Sequence, residues 1–542
     1  MTAAPPAVPG LAGGGADQRE AGAVRVGAGA AGRAPAPAAD PRAAAHELVA
    51  AMAARPAGSV SPSVYETARV VSDAPWLAGH VERLRYLLAA QRPDGAWGAP
   101  GGYALVPTAS AVEALLRSRR WPGPDAAEVA RAATRGLAAL RDRLLVADEP
   151  VPDTPGVDLI LPELLDRIAA LLADGGESGP SAALPLPPGM TRRRCAAVGA
   201  LLAAGRPVPE KLWHAFEALA VDARAGAAVR PVCGAVGASP AATAAWLDDR
   251  ADPDVDRAAL DYLIRAAGAQ DGPVPCTTPI TVFERAWVLA SLVRVGAARD
   301  VPEQLLTELA AAIGPTGAAT SPGLPTDADT TSVALYALAR LGRPVAPDSL
   351  REYDTGAHFC TWRGEDGSSV TTNAHVLEAL GWHGRHARSP EHAAAAQRVA
   401  GWLLDGQLPD GSWTDRWHAS AYYATASVAV SLAGYAPAVA RRAVDRAVDW
   451  VLASQRADGS WGRWGGTAEE TAYALHVLLG TGRSDRPGVD VAVRRAVGFL
   501  DEDPGTDTPL WHDKDLYHPV LIVRAAVVAA RQLVRTAGYP AR

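Results

Sequence analysis

A seven-residue pattern occurs three times in this chain: Gln91-Arg92-Pro93-Asp94-Gly95-Ala96-Trp97, Gln407-Leu408-Pro409-Asp410-Gly411-Ser412-Trp413 and Gln455-Arg456-Ala457-Asp458-Gly459-Ser460-Trp461. Each copy follows a stretch with helical apolar spacing and is succeeded by another. Asp-Gly makes a tight turn, Gln reaches a free helix end, and Trp packs over the joint. A turn unit repeated between helices predicts helical hairpins closed into an α/α toroid, with inner helices around a central cavity. One copy near the start and two near the end predict two such barrels. The repeats themselves are scaffold, so the chemistry is expected elsewhere.

The intervening sequence agrees. Leu48, Val49 and Met52, then Leu84, Leu87 and Leu88, then Val112, Leu115 and Leu116 recur at helical spacing, and alternating Val/Ile/Thr runs are nearly absent. The fold class is all-α. At 542 residues the chain exceeds what one core serves. Residues 1–40 are mostly Ala, Gly and Pro, a composition expected of a disordered leader. A net charge of −7 argues against a nucleic-acid surface. Cys195, Cys233, Cys276 and Cys360 lie far apart with no Cys-x-x-Cys pair, which fits a reducing compartment. The sequence has no apolar run of transmembrane length and no signal-peptide pattern, so a soluble cytoplasmic protein is expected. Its oligomeric state is left open.

The stretch Thr326-Asp327-Ala328-Asp329-Thr330-Thr331 places two carboxylates one residue apart at the start of a helix. That helix continues through Val333, Leu335, Leu338 and Leu341 and stops at Gly342, with Pro344 beyond. Thr326 or Asp327 is the expected N-cap, and acids are common in a first turn, so the pair alone is not diagnostic.

Its company makes it so. The three repeats resemble the QW motifs of squalene-hopene cyclase and its relatives. Asp327 to Thr331 resembles the Asp-x-Asp-Asp signature of class II terpene cyclases, which begin cyclisation by protonation. The segment from Thr281 through Phe283-Glu284-Arg285 to Trp287 resembles a Phe-Glu-Arg-x-Trp block of copalyl diphosphate synthases. Gly156-Val157-Asp158, with Pro162, Glu163, Leu164 and Leu165 following, resembles their Gly-Phe-Glu-x-x-x-Pro-x-Leu-Leu block. Four further stretches, 369–377, 413–418, 469–473 and 511–517, resemble blocks of the bacterial members. The resemblance spans roughly residues 45–535, in the family's order. Two positions depart from it: Thr330 stands where most diterpene members have Asp, and Asp158 where they have Glu. The Asp-x-Asp-Thr-Thr form also resembles that of drimane-forming sesquiterpene cyclases.

By this resemblance the architecture is a βγ didomain. The first helix of the β barrel is expected at 41–56, an inserted γ barrel at 57–285, and the rest of the β barrel, with the acid motif, at 286–542. The implied reaction is protonation-initiated cyclisation of a linear prenyl diphosphate to a bicyclic product that keeps its diphosphate. Farnesyl diphosphate giving a drimenyl-type product is the first expectation, and geranylgeranyl diphosphate giving a copalyl-type product the alternative.

Protonating an alkene near pH 7 requires a carboxylic acid that is still protonated there, and an ordinary Asp ionises roughly three pH units lower. Burial and a neighbouring carboxylate both raise the pKa of one member of a pair. The resemblance implies Asp329 as general acid, with Asp327 as its partner and Thr330 beside it. Asn373 and His375 are candidates for bonding to the acid motif or for taking the final proton; a satisfied core histidine is an equal alternative for His375. The carbocation must meet π-faces and no water. With 4 Phe in the chain, the aromatic candidates are Trp287, Trp362, Tyr336, Tyr422, Tyr423 and Tyr517, although core packing is the commoner role for each alone. The diphosphate needs cations, for which Lys514 and Arg416 are chosen, and usually Mg2+, for which Asp158 and Glu163 are possible partners or simply acidic surface.

Two rival readings exist. Asp248-Asp249-Arg250-Ala251-Asp252 matches the Asp-Asp-x-x-Asp of ionising class I synthases, but no second metal motif accompanies it. A toroid that only binds would not need paired acids at its cavity, and a zinc-dependent transferase would need a Cys/His/Asp cluster.

Overall fold

A computed structural model describes residues 40–118, 125–145, 150–175, 184–219, 229–247, 252, 256–365, 367–502 and 508–539. The 1–40 leader, apart from Asp40, and Asp248 to Ala251 of the Asp-rich stretch lie outside the described residues. Among the described residues, apart from one hairpin of two-residue strands and isolated bridges, the regular structure is helical.

The helices close into two rings. In the C-terminal ring, helices Thr281–Arg294, Ala328–Arg340, Val370–His386, Ala421–Tyr435, Ala468–Gly480 and Val520–Thr536 each pack on the next, and the last returns to the first. These six are buried on almost every side, as inner staves of a barrel must be. Amphipathic helices Glu303–Ala311, Pro390–Asp405, Pro437–Ala453 and Val489–Asp501 cover them from outside, and Pro41–Ala54 packs on the first and last staves. One hydrophobic core runs through all of these helices. A second core belongs to the N-terminal ring, where Val64–Asp73, Leu105–Ser118, Val157–Asp174, the 3-10 segment Glu210–Ala218 and Pro240–Leu247 also close on themselves.

Inner helices begin at small polar caps. The side chains of Ser63, Asp327, Ser369, Ser420 and Thr467 each accept from a backbone amide two or three residues on, satisfying a donor that the helix leaves unpaired. Polar, capped helix ends can then face a cavity while the stave bodies stay apolar.

The three repeats do the same job in three places. The indole N–H of Trp97, Trp413 and Trp461 donates to the carbonyl of Leu87, Leu403 and Val451, at 2.7, 2.8 and 2.8 Å. Each Trp backbone amide donates to a Thr hydroxyl on the inner helix that follows: Thr108, Thr425 and Thr471. Each Gln side-chain amide donates to its own Gly carbonyl and to a second carbonyl, that of Ala132, Ala443 or Ala492. Those second carbonyls lie within the next outer helix, so Gln staples the turn to a helix flank and not to a free helix end. The glycines are required: Gly95, Gly411 and Gly459 have φ of 86°, 99° and 90°, and a Cβ there would meet the backbone oxygen of Arg135, Arg446 or Arg495 at 2.7 Å or less.

A hairpin pairing Trp511–His512 with Leu516–Tyr517 reaches from the second ring into the first. Its three central residues are all charged, and all are buried against the N-terminal ring or the segment that leaves it. Asp513 takes His214 at 2.7 Å and the Thr277 hydroxyl at 2.5 Å; Lys514 donates to Glu217 and Ser239, both at 2.8 Å, and pairs with Glu66; Asp515 accepts from Ser63 at 2.7 Å and from the Tyr65 amide at 3.0 Å.

Candidate active site

Between the two rings lies a cavity of about 530 Å³. Its aromatic lining is Phe283, Trp287, Trp362, Trp417, Tyr423, Trp511 and Tyr517. These rings hold one another. Phe283 and Trp287 have centroids 4.4 Å apart, Tyr423 and Trp511 4.8 Å, and Trp362 and Trp417 meet edge to face at 5.0 Å. The Trp511 indole N–H is fixed at 2.8 Å by Glu469, from the Glu469-Glu470 block.

Asp327, Asp329 and Thr330 line the same cavity. Asp327 is the N-cap of its helix: its carboxylate accepts from the Thr330 amide at 2.5 Å and from the Thr320 hydroxyl at 3.3 Å. Burial pushes its pKa up to about 7, and the Asp329 charge adds to the rise. Asp329, two residues on, is the more open of the two, and its Oδ1 lies 2.6 Å from His375 Nδ1. Its hydrogen-bond partner is therefore His375, one of the two residues expected to bond to the acid motif, while Asp327 and Asp329 act on each other through charge. The reason is local: capping turns Asp327 back onto its own helix, whereas a first-turn side chain projects sideways to the neighbouring stave. The Thr330 hydroxyl is spent on Thr320 at 2.9 Å.

Of the other expected residues, Trp287, Trp362, Tyr423, Tyr517, Arg416 and Asp158 line the cavity. Five do not. Asn373 is fully buried and its amide is consumed by the backbone of Phe359 and Ser369, so it pins a loop. Tyr422 packs on Trp450 with centroids 4.7 Å apart, because consecutive helix residues point about 100° apart and Tyr423 takes the inward direction. Tyr336 sits seven residues beyond Asp329, about 10 Å further along the helix, where it accepts from Arg340 at 2.7 Å. Lys514 is buried in the N-terminal ring, as described above. Glu163 is paired with Arg167 at 2.9 Å.

That last pairing bears on magnesium. A five-residue spacing places Asp158 and Glu163 about 140° apart around one helix, and only Asp158 faces the cavity, 3.7 Å from Arg194. Among the described residues no three His, Cys, Asp or Glu side chains are gathered as metal ligands. The Asp158/Glu163 pair does not fit a shared ion.

Two cations that the sequence reading did not single out line the cavity with Arg416: Arg194 and Lys211. Arg416 bridges Asp153 at 2.7 Å and Glu365 at 3.5 Å, and Lys211 donates to the Gly364 carbonyl at 3.1 Å, so all three lie where the two rings meet. Lys211 carried one signal: it is one of two lysines among 52 basic residues. Arg194 ends an ordinary basic run and carried none.

Comparison with known proteins agrees with this geometry. The family description "Squalene-hopene cyclase C-terminal domain" matches residues 365–517. The ent-copalyl diphosphate synthase of Streptomyces sp. (strain KO-3988) is 45% identical over 510 residues, covering 92% of this chain and 98% of that protein. The labda-7,13-dienyl diphosphate synthase of Streptomyces clavuligerus is 40% identical over 526 residues, 94% and 95% of the two chains. The solved ent-copalyl diphosphate synthase from Streptomyces platensis superposes with a TM-score of 0.86 at 46% identity, over 91% of this chain and 99% of that one. No described helix is long and apolar enough to cross a membrane. With its paired acids, aromatic cavity and turn repeats, the chain belongs to the class II terpene cyclases, enzymes that begin cyclisation by protonation.

Proposed function

We propose that this enzyme cyclises geranylgeranyl diphosphate to a bicyclic, copalyl- or labdadienyl-type diphosphate, with Asp329 as the general acid. The observation that carries the reading is the Asp329 carboxyl at the wall of an aromatic cavity, held at one oxygen by His375. With Oδ1 engaged by His375 Nδ1, Oδ2 is the oxygen assigned to the proton transfer. Burial, with the charge of Asp329 adding to it, raises the pKa of the neighbouring Asp327 to about 7.

The substrate's length is argued from the relatives, which are named for copalyl and labdadienyl products, and this favours geranylgeranyl over farnesyl diphosphate. The diphosphate is assigned to Arg194, Lys211 and Arg416, each at the more exposed part of the lining. After protonation, two ring closures move positive charge past the faces of Trp287, Tyr423, Phe283 and Trp511, where cation–π attraction replaces hydration. Loss of a proton ends the sequence with the diphosphate intact. No step of this reading passes through a magnesium ion.

The test is incubation of the protein with geranylgeranyl and with farnesyl diphosphate in parallel, with products analysed by mass spectrometry before and after phosphatase. A bicyclic alcohol from the twenty-carbon substrate, seen only after phosphatase, is the expected result. A hydrocarbon released without phosphatase would mean ionisation chemistry, and turnover of farnesyl diphosphate alone would overturn the substrate assignment.

A further inference from the structure

A second, smaller cavity of about 50 Å³ lies inside the ring of six inner helices and shares a wall with the large one. Trp287 and Tyr423 line both. The Trp287 Nε1–H donates to the Tyr423 hydroxyl at 3.0 Å, and each residue is about 95% buried, so the two form a mutually bonded wall beside His375, which lines the small cavity and bonds to Asp329.

The two compartments differ in chemistry. The large cavity presents mainly π-faces near Asp329. The small one is lined by the Arg294–Glu378 ion pair, with contacts at 2.6 and 2.9 Å, and by Ser291, Ser427 and His476. Burial pushes the pKa of His476 down to about 4, so its ring is a neutral polar group there. A polar space of this size accommodates on the order of one to three water molecules, each with several partners. Water is what the carbocation must not meet.

We propose that Trp287 and Tyr423 form a floor that keeps water in the barrel lumen away from the carbocation, and that this floor determines that the product is an alkene and not an alcohol. The inference rests on the class II reading above. With the floor opened, a water oxygen bonds to a tertiary cation of the cyclisation sequence, and the resulting oxonium loses a proton to a second water. The product is a hydroxylated diphosphate, heavier than the alkene by one water; no oxidant or reductant is involved.

The experiment compares wild type, Tyr423→Phe, Tyr423→Ala and Trp362→Ala on geranylgeranyl diphosphate in H2 18O, with phosphatase treatment afterwards in ordinary water. Trp362 lines the large cavity and not the small one, so it controls for mere enlargement of the site. Tyr423→Ala should raise the 18O-labelled alcohol at least about tenfold relative to alkene, equivalent to ~1.4 kcal/mol between the two competing barriers. Tyr423→Phe, which keeps the ring, should stay within about twofold of wild type, and filling the lumen with Ser427→Leu in the Tyr423→Ala background should reverse most of the rise. Should Tyr423→Ala fail to fold by circular dichroism, Trp287→Leu carries the same expectation. Exclusively alkene from a folded, active Tyr423→Ala, or equal alcohol from Trp362→Ala, would overturn the floor. A wild type that makes no bicyclic diphosphate would instead overturn the class II reading beneath it.

Discussion

His375 Nδ1 and Asp329 Oδ1 lie 2.6 Å apart on adjacent inner helices, while Asp327, two residues away, spends its carboxylate on the Thr330 amide. The two acids of one short motif, both at the cavity wall, thus have different partners: one caps its own helix, the other is held by the neighbouring stave. Asp329→Asn keeps shape and volume and removes only the transferable proton. It should lower turnover at least about a thousandfold with little change in melting temperature. Asp249→Asn should leave turnover intact. The opposite pattern in a product assay would transfer the chemistry to the Asp248-Asp249 stretch.

Asp327 gives a prediction in pH. Its pKa is raised in the folded protein to about 7 from an ordinary value near 4, because burial penalises the anion. Between those values the native state holds a proton that the unfolded chain has released, so stability falls as pH rises from about 4 to 7 and is level beyond. The full span corresponds to up to ~4 kcal/mol. Asn caps a helix about as well as Asp and does not ionise. Asp327→Asn should therefore lose less melting temperature than wild type between pH 5 and pH 8, although turnover falls. Parallel pH dependences for the two proteins would show that Asp327 is not buried in its folded state.

The turn repeats, and the helix that the acid motif opens, were legible in the sequence because their physics is local, whereas the role of the acids came through the resemblance. A left-handed Gly, an N-cap and an apolar helical stripe lie within a few residues of one another. The cavity lining was legible only in part, because it depends on which way a helix rotates and how deep a residue sits. Tyr422 and Tyr423 are indistinguishable by composition, and a rotation of about 100° separates core from cavity. Tyr336 is on the right helix at the wrong depth. Lys514 lies in a motif that does reach the cavity, through Trp511, His512, Asp513 and Tyr517, but its own partners are hundreds of residues away, and no local pattern announces Glu66 or Glu217.

The cavity-lining cations divide from Lys514 in a measurable way. Lys211 is exposed and donates to the Gly364 carbonyl, whereas Arg416 is half-buried and bridges the exposed Asp153 and the buried Glu365. Lys211→Gln and Arg416→Gln should each raise KM by about tenfold, as expected for loss of one charge-assisted hydrogen bond of ~1.4 kcal/mol, with melting temperature nearly unchanged in Lys211→Gln and lowered in Arg416→Gln, which leaves the buried Glu365 unpaired. A KM that stays put in both variants would place the diphosphate elsewhere.

Lys514 should behave in the reverse manner. Burial by itself lowers the pKa of its ammonium, but the carboxylates of Glu217 and Glu66 more than offset this and the net shift is upward. Glu66, buried beside it, is raised to about 7 even with the lysine present, because the lowering effect of Lys514 only partly cancels desolvation. Lys514→Met keeps most of the apolar stem and removes the charge, leaving two buried glutamates and the Ser239 hydroxyl without their shared donor. Breaking one side of such a network costs about 3–5 kcal/mol. Without the lysine, Glu66 rises further, so the range over which the native state holds an extra proton extends to higher pH. The melting-temperature gap between wild type and Lys514→Met should therefore widen from pH 5 to pH 8, while KM of the folded variant remains close to wild type. A raised KM with an unchanged melting temperature would restore Lys514 to the substrate and remove it from the joint between the two rings.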